Sequence, residues 1–160
     1  MKTVVIYTDG ACKGNPGPGG YAAILQFGEK EKIIRGGASH TTNNRMELTA
    51  VVEAVKALRC PCQVQFVTDS TYVMMTNEKW KKWQKRRNIK NMDLWQELLL
   101  TAKDGKHKLS FQHVYGHTGH INNERCDKIA KEQAIKFSHV AAGTNTLSIN
   151  EALAILAERE

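Results

Sequence analysis

Apolar and polar positions alternate from the start of the chain. Over residues 3–9, Val5, Tyr7 and Asp9 share one face and Val4, Ile6 and Thr8 the other, the period of a β-strand. Residues 21–27 (YAAILQF) and 32–38 predict a second and third strand, with a hairpin-like turn at Gly28-Glu29-Lys30-Glu31. Between the first two strands, residues 10–20 hold five glycines and two prolines, a composition that predicts an ordered loop.

The period then lengthens. Over residues 43–59, Leu48, Val51, Val52, Val55 and Leu58 form one helical stripe, with Thr41, Thr42, Asn43 and Asn44 as candidate N-caps and Cys60-Pro61 as the stop. Residues 63–68 form a β-branched run, read as a fourth strand. A helical stretch begins near Thr71 and restarts near Asp93 as DLWQELLLTAK. Residues 108–115 predict a fifth strand and residues 123–138 a further helix. Strands and helices around one mixed sheet make an α/β domain spanning residues 1–138. Residues 139–160 read as an extension. A small, polar linker leads to Ser148-Ile149-Asn150-Glu151, a capping box opening a short helix with Ile149, Leu153 and Leu156 on its apolar side.

A chain of 160 residues, 41% hydrophobic and 24% charged, fits one compact soluble domain. No stretch resembles a signal peptide or approaches the roughly 18 apolar residues of a membrane helix, so a cytoplasmic protein is expected. In that reducing compartment Cys12, Cys60, Cys62 and Cys126 are expected as free thiols, and the Cys60-Pro61-Cys62 pair is a weak metal signal. The net charge is +7, and the stretch KWKKWQKRRNIK at 79–90 carries Lys79, Lys81, Lys82, Lys85, Arg86, Arg87 and Lys90 without an acid. A polyanion is the partner such a run fits. Of the tryptophans near it, packing between helices is expected for Trp95 and for at least one of Trp80 and Trp83.

Four acids stand where apolar residues are expected. Asp9 closes a strand on the face of Val5 and Tyr7; Glu47 lies near the apolar stripe of its helix; Asp69 ends the fourth strand; Asp127 precedes Ala130 and Ala134 at helical spacing. One such acid is ordinarily a cap, an edge residue or half of an ion pair. Four call for protons or cations, and the basic residues lie elsewhere in the sequence. Hard oxygen donors suit Mg²⁺ or Mn²⁺, and two such ions about 3.5–4 Å apart support phosphodiester hydrolysis.

The stretches YTDGACKGNPGPGGYAA, TTNNRMEL, VTDSTYV, KNMDLWQEL and GHTGHINNERCDKIA, in this order and spacing, resemble type 1 ribonuclease H of the bacterial form over residues 1–138. The resemblance implies a ribonuclease H-like five-stranded mixed sheet flanked by α-helices, here with a short appended C-terminal helix. It also implies endonucleolytic hydrolysis of the RNA strand of RNA–DNA hybrids, leaving 3′-hydroxyl and 5′-phosphate ends. Asp9, Glu47, Asp69 and Asp127 match the family's metal-binding carboxylates. By that match Asp9 bridges two Mg²⁺ ions (Mn²⁺ as substitute), Glu47 and Asp69 hold the nucleophile-side ion, and Asp127 holds the leaving-group-side ion. His117 matches a loop histidine that handles protons and product release, with Glu124 as a weaker helper; His117, His120 and Cys126 also leave open a separate metal site. Asn15, Thr42, Asn43 and Asn44 match positions that contact nucleic acid, with an ordinary N-cap as the alternative for Asn44. Lys81, Lys82, Lys85, Arg86 and Arg87 resemble a basic handle that grips the DNA strand. A monomer is expected.

The chain departs from the family pattern in three places. The segment between Trp83 and Asp93 is shorter than usual, which truncates the handle; Thr71 stands where Gln is common; and residues 139–160 have no match. Two other readings compete with the enzyme: a catalytically idle hybrid-binding module, and a nuclease of the same fold acting on DNA alone.

Overall fold

The computed structural model describes residues 1–85, 89–115 and 120–141. Three strands, β1 (Lys2–Cys12), β2 (Gly17–Phe27) and β3 (Lys30–Thr41), form an antiparallel meander, followed by α1 (Asn43–Lys56). Strand β4 (Cys62–Thr68) returns parallel to β1. A 3-10 turn (Val73–Met75) runs into α2 (Thr76–Gln84), then come α3 (Met92–Asp104), β5 (Lys108–His113) parallel to β4, and α4 (Ile121–Ala141). The strand order β3-β2-β1-β4-β5 is the expected five-stranded mixed sheet.

Helices cover both faces. Val4 and Ile6 of β1 and Val64 and Phe66 of β4 pack with Leu48, Val51 and Val55 of α1 and Trp95 and Leu98 of α3. On the other face Ala22 and Ile24 of β2 meet Cys126 and Ala130 of α4. Trp95 is fully buried, as expected from packing between helices. Its indole N–H donates to the Tyr72 hydroxyl at 2.9 Å, so the one polar atom of the ring is satisfied in the core.

Sequence and structure differ most over residues 10–20. The expected loop shrinks to residues 13–16, because Gly10, Ala11 and Cys12 pair with Tyr21, Gly20 and Gly19 within the sheet. The glycines here serve close approach: a Cβ at Gly20 would stand 2.3 Å from the Ala130 carbonyl oxygen of α4. Helix α1 also ends earlier than Cys60-Pro61 would dictate. The Ala57 N–H bonds the carbonyls of Glu53 and Ala54, both at 3.2 Å, tightening the last turn before the proline is reached. At the other end of the chain α4 runs through Ala141, beyond the expected 138. Residues 142–160, with the expected C-terminal helix, lie outside the described residues.

Candidate active site

Strands β1 and β4 run parallel with Tyr7 beside Val67. Two residues further on, at the same level, come Asp9, still paired with Ala22 of β2, and Asp69, just past the end of β4. Asp9 is buried, at 8% exposure, whereas Asp69 is exposed at the strand end. Asp69 thus does not occupy an apolar position; it reaches the site from the rim.

The other two acids arrive on helices. Gly10 lies under the first turn of α1, and this contact sets Glu47 beside the end of β1. The turn is capped by Thr42, whose hydroxyl accepts the Arg45 N–H at 3.2 Å. Thr42, not Asn44, is the N-cap. On the opposite face Asn123 Nδ2 donates to the Val67 carbonyl at 3.1 Å and the Cys126 thiol to the Tyr7 carbonyl at 3.3 Å. These two contacts pin the first turns of α4 against β4 and β1, and Asp127 follows directly.

The electrostatics report the convergence. The Asp9 carboxyl is pushed up to about 8, first by burial, then by Asp69, and further by Asp127 and Glu47, against the opposing hydrogen bond from the Gly10 N–H at 2.8 Å. Glu47 is also raised, by burial first and by Asp69, while hydrogen bonds from Ser70 and Asn43 oppose the rise. Like charges crowded in a low-dielectric pocket resist ionisation together.

Three of the four carboxylates have a partner among the described residues, the Gly10 N–H on Asp9 being one. Asn43 Nδ2 donates to Glu47 Oε1 at 2.9 Å and Ser70 Oγ to Glu47 Oε2 at 2.5 Å. Lys131 holds Asp127 at 2.8 Å, one turn along α4. The expectation that no basic residue attends these acids is therefore corrected at Asp127, although that pair is largely exposed and worth little. Among the described residues no three His, Cys, Asp or Glu side chains already form a metal-ligating group. The donor set nevertheless fits hard divalent ions. Mg²⁺ is held by one or two carboxylates together with waters and substrate phosphates rather than by an all-protein cage. Asp9, Glu47, Asp69 and Asp127 offer such anchors around an open rim.

The RNase H family pattern matches residues 1–135. A Ribonuclease H of Alcanivorax borkumensis is 49% identical over 147 residues, covering 87% of this chain and 96% of its own. One from a strain of Thermus thermophilus is 49% identical over 142 residues, covering 83% and 84%. The chain belongs to the RNase H family. It is accordingly a nuclease of the hydrolase class. Among solved structures LC9-RNase H1, a type 1 RNase H with the type 2 active-site motif, superposes with a TM-score of 0.75 at 26% identity, over 99% of this chain and 85% of that one. LC11-RNase H1 in complex with an RNA/DNA hybrid shares the fold at a TM-score of 0.66 and 22% identity, over 83% of this chain and 97% of its own.

Around the four carboxylates the structure brings together some of the other expected residues and not others. Asn15 and Asn43 come together, because Asn15 Oδ1 accepts the Asn43 N–H at 3.0 Å and ties the 13–16 turn to the start of α1. Asn44 is exposed on the first turn. The basic stretch is divided. Lys79 is buried, its ammonium 6.0 Å from the Tyr72 ring centre, and Lys82 pairs with Glu78 at 3.2 Å, whereas Lys81 and Lys85 are exposed. The run is thus less available to a polyanion than its sequence suggests. Trp80 is half-buried and lines a hollow with Leu99 of α3 and Phe111 of β5. His117, Arg86 and Arg87 lie outside the described residues, so the alternative site built on His117 rests there as well.

Ser70 and Gly10 were missed from the sequence. Ser70 Oγ accepts the Val73 N–H at 3.1 Å while donating to Glu47, so it reads as a turn cap until the fold brings Glu47 alongside. The Asp69-Ser70 pair was the available signal.

Proposed function

We propose that this chain cleaves the RNA strand of RNA–DNA hybrids endonucleolytically, with two divalent ions, and leaves 3′-hydroxyl and 5′-phosphate ends. The observation that carries the reading is the buried Asp9 carboxyl, crowded by Asp69, Asp127 and Glu47 at the ends of β1 and β4. Asp9 would hold both ions, Glu47 and Asp69 the ion on the nucleophile side, and Asp127 the ion on the leaving-group side. Bound Mg²⁺, or Mn²⁺ in its place, supplies activation of water and neutralisation of charge on the departing oxygen.

The protein's own residues do the rest. Asn43 and Ser70 aim the Glu47 carboxylate, leaving its charge toward the site. Lys131 releases Asp127 at low cost, since the pair is exposed. His117 handles the proton of the leaving group, and Glu124 assists it. The exposed amide of Asn44 and the Asn15–Asn43 turn face the nucleic acid, where Asn can read a 2′-hydroxyl. Lys81, Lys82 and Lys85, with Arg86 and Arg87, hold the DNA strand by its phosphates.

We place the enzyme in the cytoplasm as a monomer. Its four cysteines carry no disulfide, and among the described residues no helix is long and apolar enough to cross a membrane. The large apolar side chains exposed among the described residues, such as Ile33, Ile121 and Ile135, are scattered along the chain. The test is side-by-side incubation with RNA–DNA, RNA–RNA and DNA–DNA duplexes in Mg²⁺ and in Mn²⁺. Cleavage of the RNA strand in the hybrid alone is expected, and preferential cutting of either homoduplex overturns the assignment.

A further inference from the structure

At the end of the sheet opposite the carboxylates, the chain enters β4 through Cys60-Pro61-Cys62, and Cys62 pairs with Lys2 at the start of β1. The two sulfurs are 4.0 Å apart. The Cys62 thiol points back along the chain, donating to the Cys60 carbonyl at 3.1 Å, and the Cys62 N–H donates to Nδ1 of His107 at 3.1 Å. The pair is asymmetric: Cys60 is exposed, Cys62 buried.

The surroundings suit a small anionic reagent. A hollow of about 360 Å³ opens beside Cys60, lined by Arg59, Lys106 and His107 with Asp104 as its acid. Lys2 and the N-terminal ammonium also bear on Cys62, favouring its thiolate, although burial and the neighbouring Cys60 outweigh them and hold that thiol above its usual range. The other two cysteines are poor competitors. Cys12 is half-buried and sits 3.4 Å from both the Gly17 and the Thr41 carbonyl; Cys126 is fully buried and its thiol is held far above the usual range, first by burial and then by Asp9.

We infer that Cys60 and Cys62 form a thiol–disulfide exchange site, with Cys60 the attacking and Cys62 the resolving sulfur, toward small anionic disulfides of the glutathione type. Cys60 as thiolate attacks one sulfur of the reagent; the reagent's S–S bond breaks, and the first small thiol leaves with the proton that Cys60 gave up. Cys62 then loses its proton and attacks the Cys60 sulfur, breaking the mixed disulfide and expelling the second small thiol. The two cysteines lose two electrons and two protons, and the reagent gains both as two thiols. Closing from 4.0 Å to a bonded distance of about 2.05 Å lies within the ~3 Å that rotation of Cys60 between side-chain wells sweeps. Burial of Cys62 lowers its thiolate fraction and slows the second step, and its 4.0 Å proximity to the Cys60 sulfur offsets that.

The experiment treats the reduced full-length chain with glutathione disulfide and follows it by intact-mass and peptide mass spectrometry. The wild type should lose the mass of two hydrogens, located on the peptide carrying residues 60 and 62. Cys62→Ser should instead retain one glutathionyl group on Cys60, and Cys62→Ala repeats that arm should the serine disturb the core. Cys60→Ser, a surface change, should stay unmodified while the wild type reacts to completion. Hybrid cleavage by the reduced variants, at the far end of the sheet, should match the wild type and shows that they are folded. A persistent glutathionyl adduct on the wild type, first modification at Cys12, or undiminished reaction of Cys60→Ser overturns the inference.

Discussion

A β-carbon on Gly10 would stand 2.4 Å from the backbone nitrogen of Glu47. The first turn of α1 therefore rests directly on the end of β1, and the missing side chain is what brings Glu47 to Asp9. Gly10→Ala should push α1 away, costing roughly 1–3 kcal/mol of stability by overpacking. Hydrolysis should fall further than the stability loss explains. Melting curves and hybrid cleavage at a temperature where the variant is fully folded separate the two effects; unchanged activity there would show that the contact does not position Glu47.

Asp9 is the charge with least access to solvent among the four acids. Asp9→Asn should bring cleavage to background and leave hybrid binding intact. In EDTA the same change should raise stability by roughly 1–2 kcal/mol, since folding must hold a proton on Asp9 up to about pH 8 and above that must bury a charge facing three like charges. Mg²⁺ should raise the melting temperature of the wild type more than that of the variant, through preferential binding to the folded state. Calorimetry with and without EDTA reads both.

Ser70 donates to Glu47 and accepts the Val73 N–H, so Ser70→Ala removes the aiming of Glu47 together with a turn cap. Loss of an outer partner ordinarily weakens a metal site by about 10–100-fold. The Mg²⁺ concentration for half-maximal cleavage should rise by about that factor, while cleavage at saturating Mg²⁺ recovers much of the wild-type rate. Ser70→Thr, which keeps the hydroxyl, should restore the lower Mg²⁺ requirement.

The Tyr72 hydroxyl accepts from both Trp95 Nε1 and Asn91 Nδ2 at 2.9 Å. Tyr72→Phe leaves two donors without that partner at the junction between the basic stretch and α3. A loss of about 1–3 kcal/mol is expected in chemical denaturation. Arg45→Ala, which removes an exposed pair with Asp93 (2.7 Å) in the same region, should cost less than about 1 kcal/mol.

Local pattern alone identified the period-2 strands, the stripe of α1, the helix of DLWQELLLTAK and the misplaced Asp9, because side-chain periodicity and the cost of buried charge are properties of neighbouring residues. The family match followed from the order and spacing of five stretches. The tertiary structure decided what depends on partners distant in sequence. Residues 10–12 and 17–20 became strand because β-pairing and the close approach of α4 outweigh glycine's local freedom. Lys79 left the basic run for the Tyr72 ring, and Lys131 took up Asp127, because burial and ion pairing are settled by what a fold sets alongside. Ser70 and Gly10 gained meaning only once α1 lay across the end of β1, since a hydrogen bond or a steric contact has no existence until both partners are in place.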